Sequence, residues 1–379
     1  MPRETLPITP SVLTWARERA GYGIDELEQD FKGIEEWEAG SRSPTYPQLE
    51  RLADKLRLPV AVFFFPAPPS VPPIRESFRT LSDTEFDSLP PRVKLMLRRA
   101  KAMQLNLAEL NDGHNPQPRL VTRDLSFPVT VNVRTMASQV REYLNVSIRE
   151  QKEWGSVELA LENWRRAITE VGVFIFKDAF KADEYSGFCL YDEEFPIIYV
   201  NNSVSKTRQI FTLFHELAHL IFHTSGIDTE IDEFMDAMPV NARRIELLCN
   251  QFAAELLLPE AELSAAITGR PTNREAAATI AQTFCVSREV VYRKFLDRGL
   301  ITEAEYRSAV AAWRSQRATE RSGGDYYNTQ MAYLGANYIR LAFNRYYQNR
   351  ISDVQLAEYL NITPRNLNTF EERFAARRS

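Results

Sequence analysis

The stretch Phe211-Thr-Leu-Phe-His-Glu-Leu-Ala-His-Leu-Ile-Phe-His223 holds three of the chain's four histidines, His215, His219 and His223. The fourth, His114, lies far upstream in a polar Asn111-Asp-Gly-His-Asn-Pro116 turn. The stretch is apolar between its histidines and reads as a helix. His215 and His219 are four apart, so a helix stacks their imidazoles on one face. Glu216 projects beside them. In this His-Glu-x-x-His arrangement two imidazoles hold Zn²⁺ and the glutamate serves as general base. The bare pattern arises by chance in many chains. Here it gathers most of the histidines into one apolar helix, with a second glutamate-bearing helix after it.

A catalytic zinc takes three protein ligands and a water. His223 continues the same stripe, but ligands at i, i+4 and i+8 of one rigid helix cannot converge on one ion, so it is expected beside the site rather than in it. A metzincin's third histidine would fall at position 225, which is Ser225. The next helix, expected over 241–258, offers Glu246 and Glu255. They are nine positions apart and point to nearly opposite faces. Glu246 shares its face with Asn250, Ala253 and Leu257, and small Ala253 allows close approach to the histidine helix. Glu246 is the expected third ligand, with Glu255 and an acid of the 228–236 segment as alternatives. Glu216 would then take a proton from water and pass it to the leaving amine of a peptide. The run 197–201 is a candidate edge strand for holding that peptide by β-addition.

Outward from this core, 379 residues suggest two or three domains. We expect an N-terminal helical module and Pro-rich connector over 1–73, a helical linker over 74–130, a catalytic domain over 131–300 and a helical C-terminal domain over 301–379. A net charge of −5 provides no global basic field for nucleic acid. Cys189, Cys249 and Cys285 are far apart and argue against a disulfide framework. No signal peptide and no membrane-length apolar run is read, so a cytoplasmic protein is expected. Short β-branched and aromatic runs at 171–176, 185–191 and 197–201 follow two helical stretches in 135–170. The fold class is thus α+β and mostly helical, with a small sheet beside the metal helix. Residues 226–236, rich in acids, read as a loop. The basic stretch 88–112 and two helix-turn-helix-like stretches, 277–298 and 354–374, are candidate nucleic-acid or partner surfaces.

Two resemblances attach to these residues. The pattern Ala16-Arg17-Glu18, Trp37-Glu38-Ala39-Gly40, Pro44, Leu49, Leu52-Ala53, Leu56 resembles an Xre/Cro-type helix-turn-helix. It departs from that family between Leu27 and Trp37, where it is several residues short. Residues 24–39 also carry seven acids and one base, Lys32, a charge that repels phosphate. The motifs Gly187-Phe188, Pro196-Ile-Ile-Tyr-Val-Asn201, Arg208 through His223, and Glu246-x-x-Cys-Asn-Gln-Phe-Ala-Ala-Glu-Leu-Leu-Leu-Pro259 resemble the ImmA/IrrE zinc metallopeptidases over about residues 130–300. That resemblance implies metal ligands at His215, His219 and Glu246 and a catalytic Glu216. It also implies a protein substrate, an Xre-type transcriptional repressor or the product of a neighbouring gene, in a stress-response, mobile-element or toxin–antitoxin setting with a toxin as partner. The alternative is a non-enzymatic DNA-binding regulator or antitoxin that uses the metallopeptidase fold as a scaffold.

Overall fold

The computed structural model describes residues 5–70, 83–229, 240–316 and 325–376. The chain divides into two compact units, one formed by Met1–Glu76 and Leu81–Arg99, the other essentially by Ala100–Ser379.

In the first unit, α1 (Pro10–Ala20), α2 (Ile24–Asp30), α3 (Ile34–Glu38) and α4 (Tyr46–Leu56) surround a core of Leu13, Leu27, Ile34, Trp37, Leu49, Leu52 and Phe63. Pro10 opens α1, where its missing N–H costs nothing, and a Thr45–Gln48 capping box opens α4. The turn between α2 and α3 is short because Gly33 takes φ +92 and Glu28 accepts the N–H groups of Gly33 and Ile34. Acids that look like surplus charge in the sequence are therefore partly spoken for. Glu38 pairs with Arg17 at 2.7 Å and Asp30 with Lys55 at 2.7 Å. Helices α5 (Asp83–Ser88) and α6 (Pro91–Leu110) follow, and the division between the units falls within α6.

The second unit continues with α7 (Val121–Asp124), α8 (Val133–Tyr143), α9 (Ile148–Glu153) and α10 (Val157–Glu170). Next come β1 (Phe174–Asp178), β2 (Tyr185–Leu190), β3 (Ile197–Asn201), α11 (Lys206–Ile221), β4 (Ile227–Thr229) and α12 (Val240–Leu257). Then follow α13 (Glu260–Ile267), α14 (Arg274–Phe284), α15 (Arg288–Asp297), α16 (Glu303–Gln316), α17 (Tyr326–Leu334), α18 (Ala336–Tyr347), α19 (Asp353–Tyr359) and α20 (Leu367–Ala376). The fold is α+β and mostly helical around one small mixed sheet. The strands run in the order β1-β3-β2-β4, with β1 and β3 parallel and β2 antiparallel to both its neighbours.

Helix α11 covers one face of the sheet. Phe176, Phe180, Phe188 and Tyr199 cluster on the strands, and Tyr338 of α18 meets Phe176 edge-on at 5.2 Å. Every residue of β2 and β3 is buried, which is why these strands read as continuous apolar runs rather than alternating ones. The core of this unit joins α8, α10, α11, α12, α14 and α15, with Trp164 meeting Trp154 and Phe214 edge-on.

Two expectations change. Strand β3 is no edge: it pairs with β1 on one side and β2 on the other, so it has no free ladder for a peptide. The 226–236 segment is not wholly loop, because Ile227–Thr229 forms β4 against β2. Its remaining acids, Glu230, Asp232, Glu233 and Asp236, lie outside the described residues. No helix among the described residues is long and apolar enough to cross a membrane.

Candidate metal centre

Ser205 caps α11 by accepting the Arg208 N–H. The helix lies close on β2: a Cβ at Gly187 would come within 2.5 Å of Thr212 Cγ2 and 2.8 Å of the Tyr199 carbonyl. Asp228 of β4 fastens the same region. It accepts from Thr212 Oγ1 at 2.7 Å and from Arg208 at 2.9 Å, while Arg208 Nε donates to Ser186. With its start fixed in this way, α11 buries His215, Glu216 and His219 and presents them to α12, which packs along it through Cys249 and Ala253.

Three donor atoms converge there. His215 Nε2 lies 3.2 Å from Glu246 Oε2, His219 Nε2 lies 3.0 Å from Glu246 Oε1, and the two Nε2 atoms are 3.2 Å apart. Donor atoms of all three residues fall within 4.8 Å of one another, and all three side chains are buried.

The other ring nitrogens decide the tautomers. His215 Nδ1–H donates to Asn250 Oδ1 at 3.1 Å, since an amide oxygen only accepts. The Thr224 hydroxyl donates to the His219 carbonyl at 3.1 Å, so its oxygen is the acceptor for His219 Nδ1–H at 3.2 Å. Both imidazoles therefore turn Nε2 toward each other and toward a carboxylate, an arrangement that needs positive charge, a proton or a metal ion, between the three.

The electrostatics agree. Burial works against a charged His215, yet Glu246, Asp228 and Glu216 lift its pKa to about 9. Burial likewise works to raise Glu246, but the imidazoles prevail and hold it well below the usual carboxylate range. Two imidazoles and one carboxylate with their outer nitrogens already anchored are a donor set suited to a divalent metal ion.

Glu216 is the unsatisfied member. Both its oxygens are buried, and neither has a regular hydrogen-bond partner. Burial pushes its carboxyl up to about 7, against the pull of the two imidazoles and the nearby Cys189 thiol. A buried carboxylate without partners is costly, and such groups concentrate where chemistry uses them.

The other candidates are engaged elsewhere. Helix α11 ends at Ile221, and His223 sits beyond it at φ +57. Its Nε2–H donates to the Thr122 carbonyl at 2.9 Å and its ring lies 5.0 Å from that of Tyr191. Glu255 pairs with Lys294 at 2.6 Å and accepts the Glu260 N–H. Two supporting residues, Thr224 and Gly226, escaped sequence reasoning, and a third, Asp228, figured there only among the alternative ligands. Thr224 orients His219, Asp228 ties β4 to α11, and Gly226 lies against the His219 ring, 2.6 Å from Cδ2 by its would-be Cβ. The Ser225-Gly226 pair, six and seven positions past His219, was the only local sign.

Residues 168–296 match the family model of the IrrE N-terminal-like domain, Peptidase_M78. The matched span contains His215, Glu216, His219 and Glu246 together with the whole sheet. No curated protein matches the chain. The IrrE-like match and the buried cluster together point to a metallopeptidase of the IrrE/ImmA type, with His215, His219 and Glu246 able to hold a metal ion.

Proposed function

We propose that the chain is a zinc-dependent endopeptidase of narrow specificity that cleaves a regulatory protein. One observation carries the reading: two anchored imidazoles and a carboxylate converge beside a buried, partnerless Glu216. Zn²⁺ suits this nitrogen and oxygen set. Held by His215, His219 and Glu246, it would supply Lewis acidity, lowering the pKa of a water molecule and polarising an acyl oxygen.

The protein's own groups supply the proton traffic. Glu216 accepts the proton of the attacking water and delivers it to the leaving amine. A carboxyl near pH 7 in its affinity is fit for both directions. Asn250 and Thr224 keep the two rings from turning. A cleft of about 620 Å³, bordered by Phe211, Asn250, Leu247, Val290 and Tyr306, begins just beyond the His215–Asn250 bond and supports a seat for a substrate side chain.

The substrate class follows from the proposed kinship: an Xre-type repressor or the product of an adjacent gene, in a cytoplasmic stress-response, mobile-element or toxin–antitoxin setting. In this proposal the Xre-like first unit recognises a protein rather than DNA, since Asp25, Glu26 and Glu35 stand exposed on it. The competing reading, a DNA-binding regulator or antitoxin, draws on the basic C-terminal segments. There Arg345 and Arg350 both pair with Asp112, and Arg373 pairs with Asp325, which reduces the charge offered to phosphates.

The test combines elemental analysis of the purified protein with incubation against the neighbouring gene's product. The expected result is one zinc per chain and cleavage by wild type but not by Glu216→Gln. A metal-free wild type, or equal cleavage by both proteins, would overturn the proposal.

A further inference from the structure

A second cavity, of about 230 Å³, lies in the same unit between α10, β1 and the start of α18. Its lining includes Arg165 and Arg166 of α10, Arg340 of α18, a single carboxylate, Glu162, and Gly335 and Asn337 at the start of α18. We propose that this cavity binds a phosphate-type oxyanion, either free phosphate or the phosphoryl group of a phosphorylated ligand.

The charge is the first argument. Three guanidiniums face one carboxylate, and none of the three forms an ion pair with a carboxylate among the described residues. Arg165 donates to the carbonyls of Ile175, Ala332 and Tyr333, at 2.7, 2.7 and 3.2 Å. Arg166 donates to Asn163 Oδ1 at 2.8 Å, and Arg340 to Asn337 Oδ1 at 2.6 Å and the Ala336 carbonyl at 3.2 Å. Each guanidinium has five N–H donors, so all three retain donors for a ligand. Desolvation pushes Arg165 down to about 10, and Glu162 offsets that only in part. Closing the C-terminus of α17 accounts for Arg165 alone; it leaves Arg166 and Arg340 unexplained.

The backbone is the second argument. Helix α18 is 12 residues long, and no side chain caps its N-terminus. Its first residues, Ala336 and Asn337, line the cavity with Gly335. First-turn N–H groups lack acceptors within their helix and favour anions. Gly335 holds φ +83, and a Cβ there would meet Arg165 Nη2 at 2.8 Å. Glycine thus lets the guanidinium approach the helix end closely. Arginine forks and helix N-termini both suit phosphate, and here they meet in one pocket. The volume is below that of drug-sized ligand sites and suits a phosphoryl group.

The experiment is titration calorimetry of the full-length protein with inorganic phosphate, a phosphoserine peptide and its unphosphorylated form, at constant ionic strength set with chloride. Saturable binding of either phosphate source is expected, weakened at least about tenfold in Arg166→Gln/Arg340→Gln. Both replaced side chains lie at the surface or pocket rim, and an unchanged circular dichroism spectrum checks folding. His215→Ala, which disables the metal centre, should leave the phosphate response in place, whereas Gly335→Ala should weaken it. Tighter binding of the phosphopeptide than of phosphate would name a phosphoprotein as the ligand's source, and the reverse would name the free ion. Absence of binding by both sources, or an undiminished response in the double variant, overturns the proposal.

Discussion

Replacing Asn250 by leucine tests the metal centre through a residue that touches no ion. The bond from His215 Nδ1–H to Asn250 Oδ1, 3.1 Å long, holds the tautomer that leaves Nε2 bare. His215 is only 1% exposed, so without Asn250 its Nδ1–H has no ready substitute acceptor. An unsatisfied buried donor costs about 1–3 kcal/mol. The ring can escape that cost by shifting its proton to Nε2, but it then ceases to be a ligand. Either way metal binding bears the loss, and at about 1.4 kcal/mol per factor of ten the dissociation constant should rise by about tenfold to a hundredfold. Leucine is a better choice than alanine because Asn250 borders the 620 Å³ cleft, and a truncated side chain would admit a water to take its place. Asn250→Asp should bind metal at least as tightly as wild type, since a carboxylate accepts the same proton more strongly. The assay is competition for zinc against a chromophoric chelator at neutral pH. A leucine variant within about twofold of wild type would refute the tautomer argument.

Three further outcomes follow from the geometry. Gly226→Ala would put a methyl group within 2.6–2.8 Å of three His219 ring atoms, so the ring must move and zinc affinity should fall more than about tenfold in the same competition assay. Glu216→Gln should keep metal stoichiometry and lose peptide hydrolysis. It should also alter pH dependence in metal-stripped protein. The folded carboxyl, near 7, lies above its ordinary value of 4.5, so wild type has its full stability below pH 4.5 and loses about 3 kcal/mol relative to the glutamine variant between pH 4.5 and 7, as read by urea unfolding at pH 4 and pH 8. Trp164→Ala empties a fully buried position between Trp154 and Phe214 and should cost about 3–5 kcal/mol in the same unfolding measurement.

Helical phase made the meeting of His215, His219 and Glu246 legible, because a period of 3.6 residues converts spacing directly into direction. The same phase turned Glu255 away, towards what proved to be Lys294. Strand order was not legible. Nothing local in Ile197–Asn201 says that it pairs on both sides, since that depends on contacts with β1 and β2 from elsewhere in the chain. Three residues of β4, Ile227-Asp-Thr229, are too few to show a period, and their acidic surroundings suggested a loop. His223 left the metal for a reason other than helix rotation: the chain turns into the left-handed region there, ending the helix before its side chain could join the stripe. Charge counts in the first unit say nothing of pairing. A count registers Glu28 and Glu38 as acids, but not that one closes a helix start and the other an arginine pair.

The division of ligands between α11 and α12 has a polymer consequence. His219 and Glu246 stand 27 positions apart, so one ion held by both ties the chain into a ring of that length. By the statistics that govern disulfides, such a tie removes about 4 kcal/mol worth of freedom from the unfolded chain. The bound ion is in that sense a removable staple. On the proposed reading, stripping such an ion would unlock the two helices and disarm the chemistry in a single event, tying the integrity of the fold to metal supply.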